Sequence, residues 1–84
     1  MTKYVFDSYA WIEYLDGSIK GKKVMALLES PANDVFTSVL TIAEVCAKAQ
    51  KMNSDPEMAF RKIISLSTVE EINPMLAKEA GIFK

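Results

Sequence analysis

Histidine is absent from this 84-residue sequence, and cysteine occurs once, at Cys46. Without histidine, the Ser-His and Cys-His pairs that activate most nucleophilic hydrolases cannot be assembled. A lone cysteine excludes a disulfide framework and any Cys/His zinc centre within one chain. Cys46 stands among Val45, Ala47 and Ala49, where a small buried apolar role is expected. Long apolar runs are missing as well. None approaches the ~20 residues of a membrane span, and Met1-Thr2-Lys3 leads into a strand-like stretch rather than a signal peptide. A cytoplasmic protein without a membrane partner is the simplest expectation. Charge of one sign is not in excess: ten Lys/Arg stand against eleven Asp/Glu, for a net charge of -1. That balance argues against gripping nucleic acid over the whole surface, which needs many neutralised phosphates, but leaves room for one local groove. The densest basic runs, Gly21-Lys22-Lys23 and Arg61-Lys62, read as solvated helix faces.

What remains is the make-up of one ordinary globular domain, 50% hydrophobic and 25% charged. A domain of this size buries only roughly 60–65% of the surface its unfolded chain exposes. Contacts with partners or with further chain would therefore matter to its stability. The side chains left for chemistry are carboxylates, hydroxyls and lysines. Carboxylates are hard oxygen donors suited to magnesium or manganese.

Tyr, Val and Phe dominate Lys3 to Phe6, which reads as a strand ended by Asp7. From Ser8 the spacing becomes helical, with Ala10, Trp11, Tyr14 and Leu15 recurring up to the stop at Asp16-Gly17. A second helix is expected from about Ser18 to Glu29, with Val24, Leu27 and Leu28 inward, before the break at Ser30-Pro31-Ala32-Asn33-Asp34. Val35 to Ser38 reads as the second strand, and a third helix opens at Thr41 and runs to about Met52. Ser54, with Glu57 three residues on, predicts the cap of a fourth helix over Pro56 to Ser65. Thr68 to Ile72 is a weaker third strand; Asn73-Pro74 then starts a last helix that Gly81 ends. Strands alternating with helices predict an α/β fold with a parallel sheet and right-handed crossovers. Ligands bind such folds at the carboxyl edge of the sheet, which is where Asp7 and the residues after Ser38 fall.

Two acids stand out. Asp7 projects from the end of the first strand, although Asp and Ser are also favoured helix caps, so capping alone accounts for Asp7 or Ser8. Glu44 interrupts the apolar stretch Leu40-Thr41-Ile42-Ala43-Glu44-Val45. It too has a structural account, as the partner of Thr41 in a capping box or of Lys48 four residues on. Together they say more. Each follows closely on a parallel strand, and neighbouring strands lie about 5 Å apart, so the two carboxylates can converge on one cation. Such a cation positions a phosphodiester and activates water. Glu13, Asp16, Glu70 and Glu71 are expected on the solvated surface.

The stretch Val5-Phe6-Asp7-Ser8-Tyr9-Ala10-Trp11-Ile12-Glu13-Tyr14-Leu15 resembles the opening motif of PIN domains, in which an aspartate follows the first strand. Thr37-Ser38-Val39-Leu40-Thr41-Ile42-Ala43-Glu44-Val45 is similar to their second motif, with its metal-binding glutamate. The resemblance, closest to the VapC toxin type, implies a three-layer fold with a parallel sheet, three strands of it present here, flanked by helices. It implies an Mg2+- or Mn2+-dependent endoribonuclease with Asp7 and Glu44 as catalytic metal ligands and Ser8 as a supporting polar group. It also implies RNA as substrate, an antitoxin protein as partner, and a homodimer or higher oligomer. Members of the family continue with a third aspartate and further strands, and nothing after Glu44 matches that motif. The 84 residues are therefore expected to be an incomplete PIN-like domain, inactive alone, with an unpaired outer edge on the first strand. The alternative is a non-catalytic module that dimerises or binds an antitoxin through the helix faces around Val24-Leu28 and Phe60-Ile64.

Overall fold

The computed structural model describes residues 2–83. Its elements are β1 (Thr2–Phe6), α1 (Ser8–Asp16), α2 (Ile19–Glu29), β2 (Asn33–Thr37), α3 (Val39–Lys51), α4 (Pro56–Leu66), β3 (Thr68–Val69), α5 (Pro74–Glu79) and β4 (Gly81–Phe83). The strands form one parallel sheet in the order β3-β2-β1-β4, flanked by the helices. This is the expected α/β architecture with one strand more. Tyr4 to Phe6 pair with Gly81 to Phe83, so the outer edge of β1, expected to be open, is covered.

The core gathers where α1 to α4 meet the two inner strands: Phe6, Ala10, Trp11, Val24, Val35, Val45, Ala59 and Ile63 are buried together. Trp11 packs edge-on against Phe6, ring centroids 5.4 Å apart, and against Tyr14 at 5.9 Å. Such aromatic pairs add to plain area burial because ring edges are attracted to ring faces. Thr37 is a polar residue in this apolar setting and is fully buried. Its hydroxyl accepts from the Trp11 indole N–H at 3.2 Å and donates to Ser67 Oγ at 2.8 Å, and Ser67 Oγ donates to the Ile63 carbonyl at 2.7 Å. A buried hydroxyl costs little when both its donor and acceptor roles are met. This chain of bonds ties α1, the end of β2 and the end of α4 together.

Between α1 and α2 the chain reverses in two residues. Gly17 takes the left-handed conformation (φ 69), and its N–H bonds back to the last turn of α1. Ser18 caps α2, accepting from the Gly21 N–H at 2.9 Å while its own hydroxyl donates to Glu13, whose carbonyl and carboxylate oxygens both lie beside it. Glu13 is therefore half-buried and engaged, not the solvated acid the sequence suggests. Gly21 is buried against the Glu13 and Tyr14 backbone, where no side chain fits.

Several helix starts differ from expectation. Ser38, not Thr41, caps α3: its hydroxyl accepts from the Thr41 N–H at 3.1 Å, and the helix begins at Val39. Asp55, not Ser54, caps α4, accepting from the Glu57 and Met58 N–H groups. Glu57 instead pairs with Arg61 one turn on. The third strand is only two residues long.

Candidate active site

Asp7 sits where β1 ends and α1 begins, half-buried, with Oδ1 accepting the Ala10 N–H at 3.0 Å. The capping role open to it is thus filled, by one carboxylate oxygen. Ser8, the first residue of α1, is half-buried beside it. On the neighbouring strand the register pairs Val5 with Phe36. Two further steps along each chain reach Asp7 and Ser38, so α1 and α3 leave the same edge of the sheet from adjacent strands. There the Ser38 hydroxyl donates to Thr41 Oγ1 at 3.0 Å, and Thr41 is buried. The residue after β2 that sequence reasoning passed over is this serine. Its signal was present as Ser-x-x-Thr, but Thr41-x-x-Glu44 competes with it in the same stretch.

Glu44 lies in the second turn of α3, about 8 Å along the axis from the helix start, and is exposed. It makes neither the capping-box bond, because the cap is Ser38, nor the pair with Lys48: among the described residues the ion pairs are Lys3–Glu79 and Arg61–Glu57. Glu44 is thus left to solvent on the flank of α3. Asp16, Glu70 and Glu71 are exposed as expected.

In kind, two carboxylates suit a hard divalent cation completed by water. In number they are few: among the described residues no group of three or more His, Cys, Asp or Glu is placed to hold a metal ion. Cys46 stays apart from this edge. It is half-buried, not buried, with Sγ–H donating to the Pro56 carbonyl at 3.7 Å, and desolvation, then the nearby Glu57 charge, push its thiol pKa up. No helix among the described residues is long and apolar enough to cross a membrane.

The family model described as "PIN domain" matches residues 4–80, which takes in Asp7, Glu44 and every helix of the structure. No curated protein and no solved structure matches the chain. PIN domains are in general nucleases that depend on divalent metal. A parallel sheet with an acid at the end of its first strand, matched over nearly the whole chain by that model, makes this protein a member of the PIN domain family.

Proposed function

We propose that this chain carries the metal-binding acids of an Mg2+- or Mn2+-dependent endoribonuclease of the VapC toxin kind. Asp7 and Glu44 would share one cation, and Ser8 would support them. One correspondence between helices carries the reading. Ile12 and Asp16 of α1 and Lys48 and Met52 of α3 line one groove, which Met58 and Ala59 of α4 close on its other side. Residues four apart share a helix face, so one turn back along the same two stripes stand Ser8 and Glu44. Both helices start from adjacent strands, and Ser8 directly follows Asp7.

Within such a site the residues have separable tasks. The Ala10 N–H holds Asp7 in one orientation at the sheet edge. Glu44 reaches from the flank of α3 with no competing partner among the described residues. A divalent cation bound there would supply charge to polarise a phosphodiester and lower the pKa of the attacking water. RNA is the proposed substrate, an antitoxin protein and a second copy of the chain the proposed partners, and the cytoplasm the proposed location. Because two acids hold a hydrated cation weakly, this chain is expected to show little or no ribonuclease activity.

Titration with Mn2+, followed by its electron paramagnetic resonance signal, tests the site. Wild type should bind one ion weakly, and Asp7→Asn and Glu44→Gln should each lose it. Binding that survives both substitutions would sink the assignment. A second reading, a non-catalytic dimerisation or antitoxin-binding module, draws support from Val39 and Leu40, 69% and 70% exposed side by side at the start of α3. Absence of Mn2+ binding in wild type would put it ahead.

A further inference from the structure

Aromatic side chains in this molecule are spent mainly on the core. Phe6 and Trp11 are fully buried, and Tyr4 and Tyr14 are half-buried against the core cluster. Tyr9 is different. It stands in the first turn of α1, two residues after Asp7, and remains 50% exposed. Two residues of chain span at most about 7 Å, so the Tyr9 backbone stands within that reach of Asp7, at the start of the same helix. A cation stands over the Tyr9 ring: Lys20 Nζ of α2 is 5.5 Å from the ring centroid. The attraction of an ammonium for a ring face is weak at an exposed site, but here it holds a positive charge over one face of a half-exposed ring. Lys23 follows Lys20 by three residues on the same flank of α2 and is exposed, so that flank carries a second cation. The nearest acid on α1, Glu13, is occupied by the Ser18 hydroxyl.

An exposed ring with an adjacent cation is the combination that single-stranded nucleic acid recognises. Bases stack on the aromatic face whatever their identity, and the cation neutralises the neighbouring phosphate. We propose that Tyr9 and Lys20 form a substrate-positioning subsite, in which the base next to the reacting phosphate stacks on Tyr9 and Lys20 contacts the adjoining phosphate. This rests on the nuclease reading, because the occupant is taken to be RNA. Tyr9 would then set which nucleotide stands opposite Asp7, through stacking rather than through hydrogen bonds to base edges. Neither residue touches a reacting atom. They are positioning residues.

Fluorescence anisotropy of the 84-residue chain with a labelled single-stranded RNA oligonucleotide, in EDTA so that nothing is cleaved, tests the subsite. Tyr9→Ala should weaken binding at least about fivefold, while Tyr9→Phe and Tyr9→Trp should bind as wild type does. Lys20→Gln should lower the slope of log affinity against log salt by about one. Circular dichroism checks that each variant is folded. Three results would overturn the proposal: wild-type affinity in Tyr9→Ala, equal losses in Tyr9→Phe and Tyr9→Ala, or no measurable RNA binding by the folded wild-type chain. Mn2+ titration of the same proteins separates this outcome from the fate of the metal site. Tyr9→Ala should bind Mn2+ as wild type does. Failure of the metal arm alone refutes the nuclease reading and, with it, the positioning of a reacting phosphate, while Tyr9-dependent RNA binding remains as a separate result.

Discussion

Gly21 offers the sharpest test of the packing, because two opposing terms decide the sign of its replacement. Glycine is about 1 kcal/mol less favourable than alanine inside a helix, so at an open position Gly21→Ala would stabilise α2. Position 21 is not open. A Cβ added there would stand 2.8 Å from the Glu13 carbonyl carbon and 3.1 Å from the Tyr14 Cα, and closer still to the Glu13 carbonyl oxygen. All three are backbone atoms of α1, and no side-chain rotation relieves them. The two helices would have to move apart, opening the seam that also holds Ser18 against Glu13. Overpacking of this kind costs about 3 kcal/mol at the upper end of its usual range. Set against the propensity gain, a net loss of about 2 kcal/mol remains. The whole stability of a chain this size is roughly 4–13 kcal/mol. In a domain of 60–100 residues each kcal/mol moves Tm by about 4–8 °C, so Gly21→Ala should melt about 8–16 °C below wild type by circular dichroism. Gly17→Ala is the matched control: nothing lies within 4 Å of its added Cβ, and only the left-handed backbone (φ 69) resists it, at about 1–2 kcal/mol. A Gly21→Ala protein that melts at or above wild type would refute the close approach of α1 and α2.

Two further outcomes follow from buried groups. Thr37→Val keeps the side-chain shape but strands the Trp11 indole N–H, so it should cost about 2–3 kcal/mol in urea unfolding with m unchanged. Thr37→Ser, which keeps both bonds, should cost only about 1 kcal/mol for the lost methyl, and equal stability of the two variants would contradict the hydrogen-bond chain. The Cys46 thiol, raised by desolvation and by Glu57, should be alkylated more slowly than a free thiol at pH 8, because only the thiolate reacts. Its rate should keep climbing at pH values where a free thiol has levelled off, and Glu57→Gln should quicken it. Reaction of the folded protein at the free-thiol rate would show that the group is not shielded.

Much of this architecture is written in residue spacing. Ala10 and Trp11 of α1 and Val24 of α2, picked out by helical spacing, turn inward and are buried. The alternation of strand and helix is enough to set Asp7 at the carboxyl edge of the sheet. Finer features depend on choices that a linear pattern leaves degenerate. In Ser38-x-x-Thr41-x-x-Glu44 two overlapping cap patterns compete, and tertiary packing of Thr41 selects the first. Asp55 wins over Ser54 for a similar reason, being one residue closer to Pro56, which starts the helix. Thr37 reads as an ordinary strand residue because its partners, Trp11 and Ser67, are 26 and 30 positions away. The strand Gly81–Phe83 is too short to show alternation, and only its pairing with β1 defines it. Asp7 was legible as a candidate because its place follows from one strand end. Where Glu44 points depends on the rotation of α3 about its axis, which spacing alone does not fix.

The two longest strands, β1 and β2, lie inside the sheet, and its rims are the two residues of β3 and the three of β4. Peptide groups able to recruit a foreign strand are thereby reduced to a few at either border, a common safeguard against fibril growth. Polymerisation by extending the ladder finds little template here. For a second copy, side-chain surface offers more than these short edges do, and its fit, unlike that of a bare backbone, can be selective.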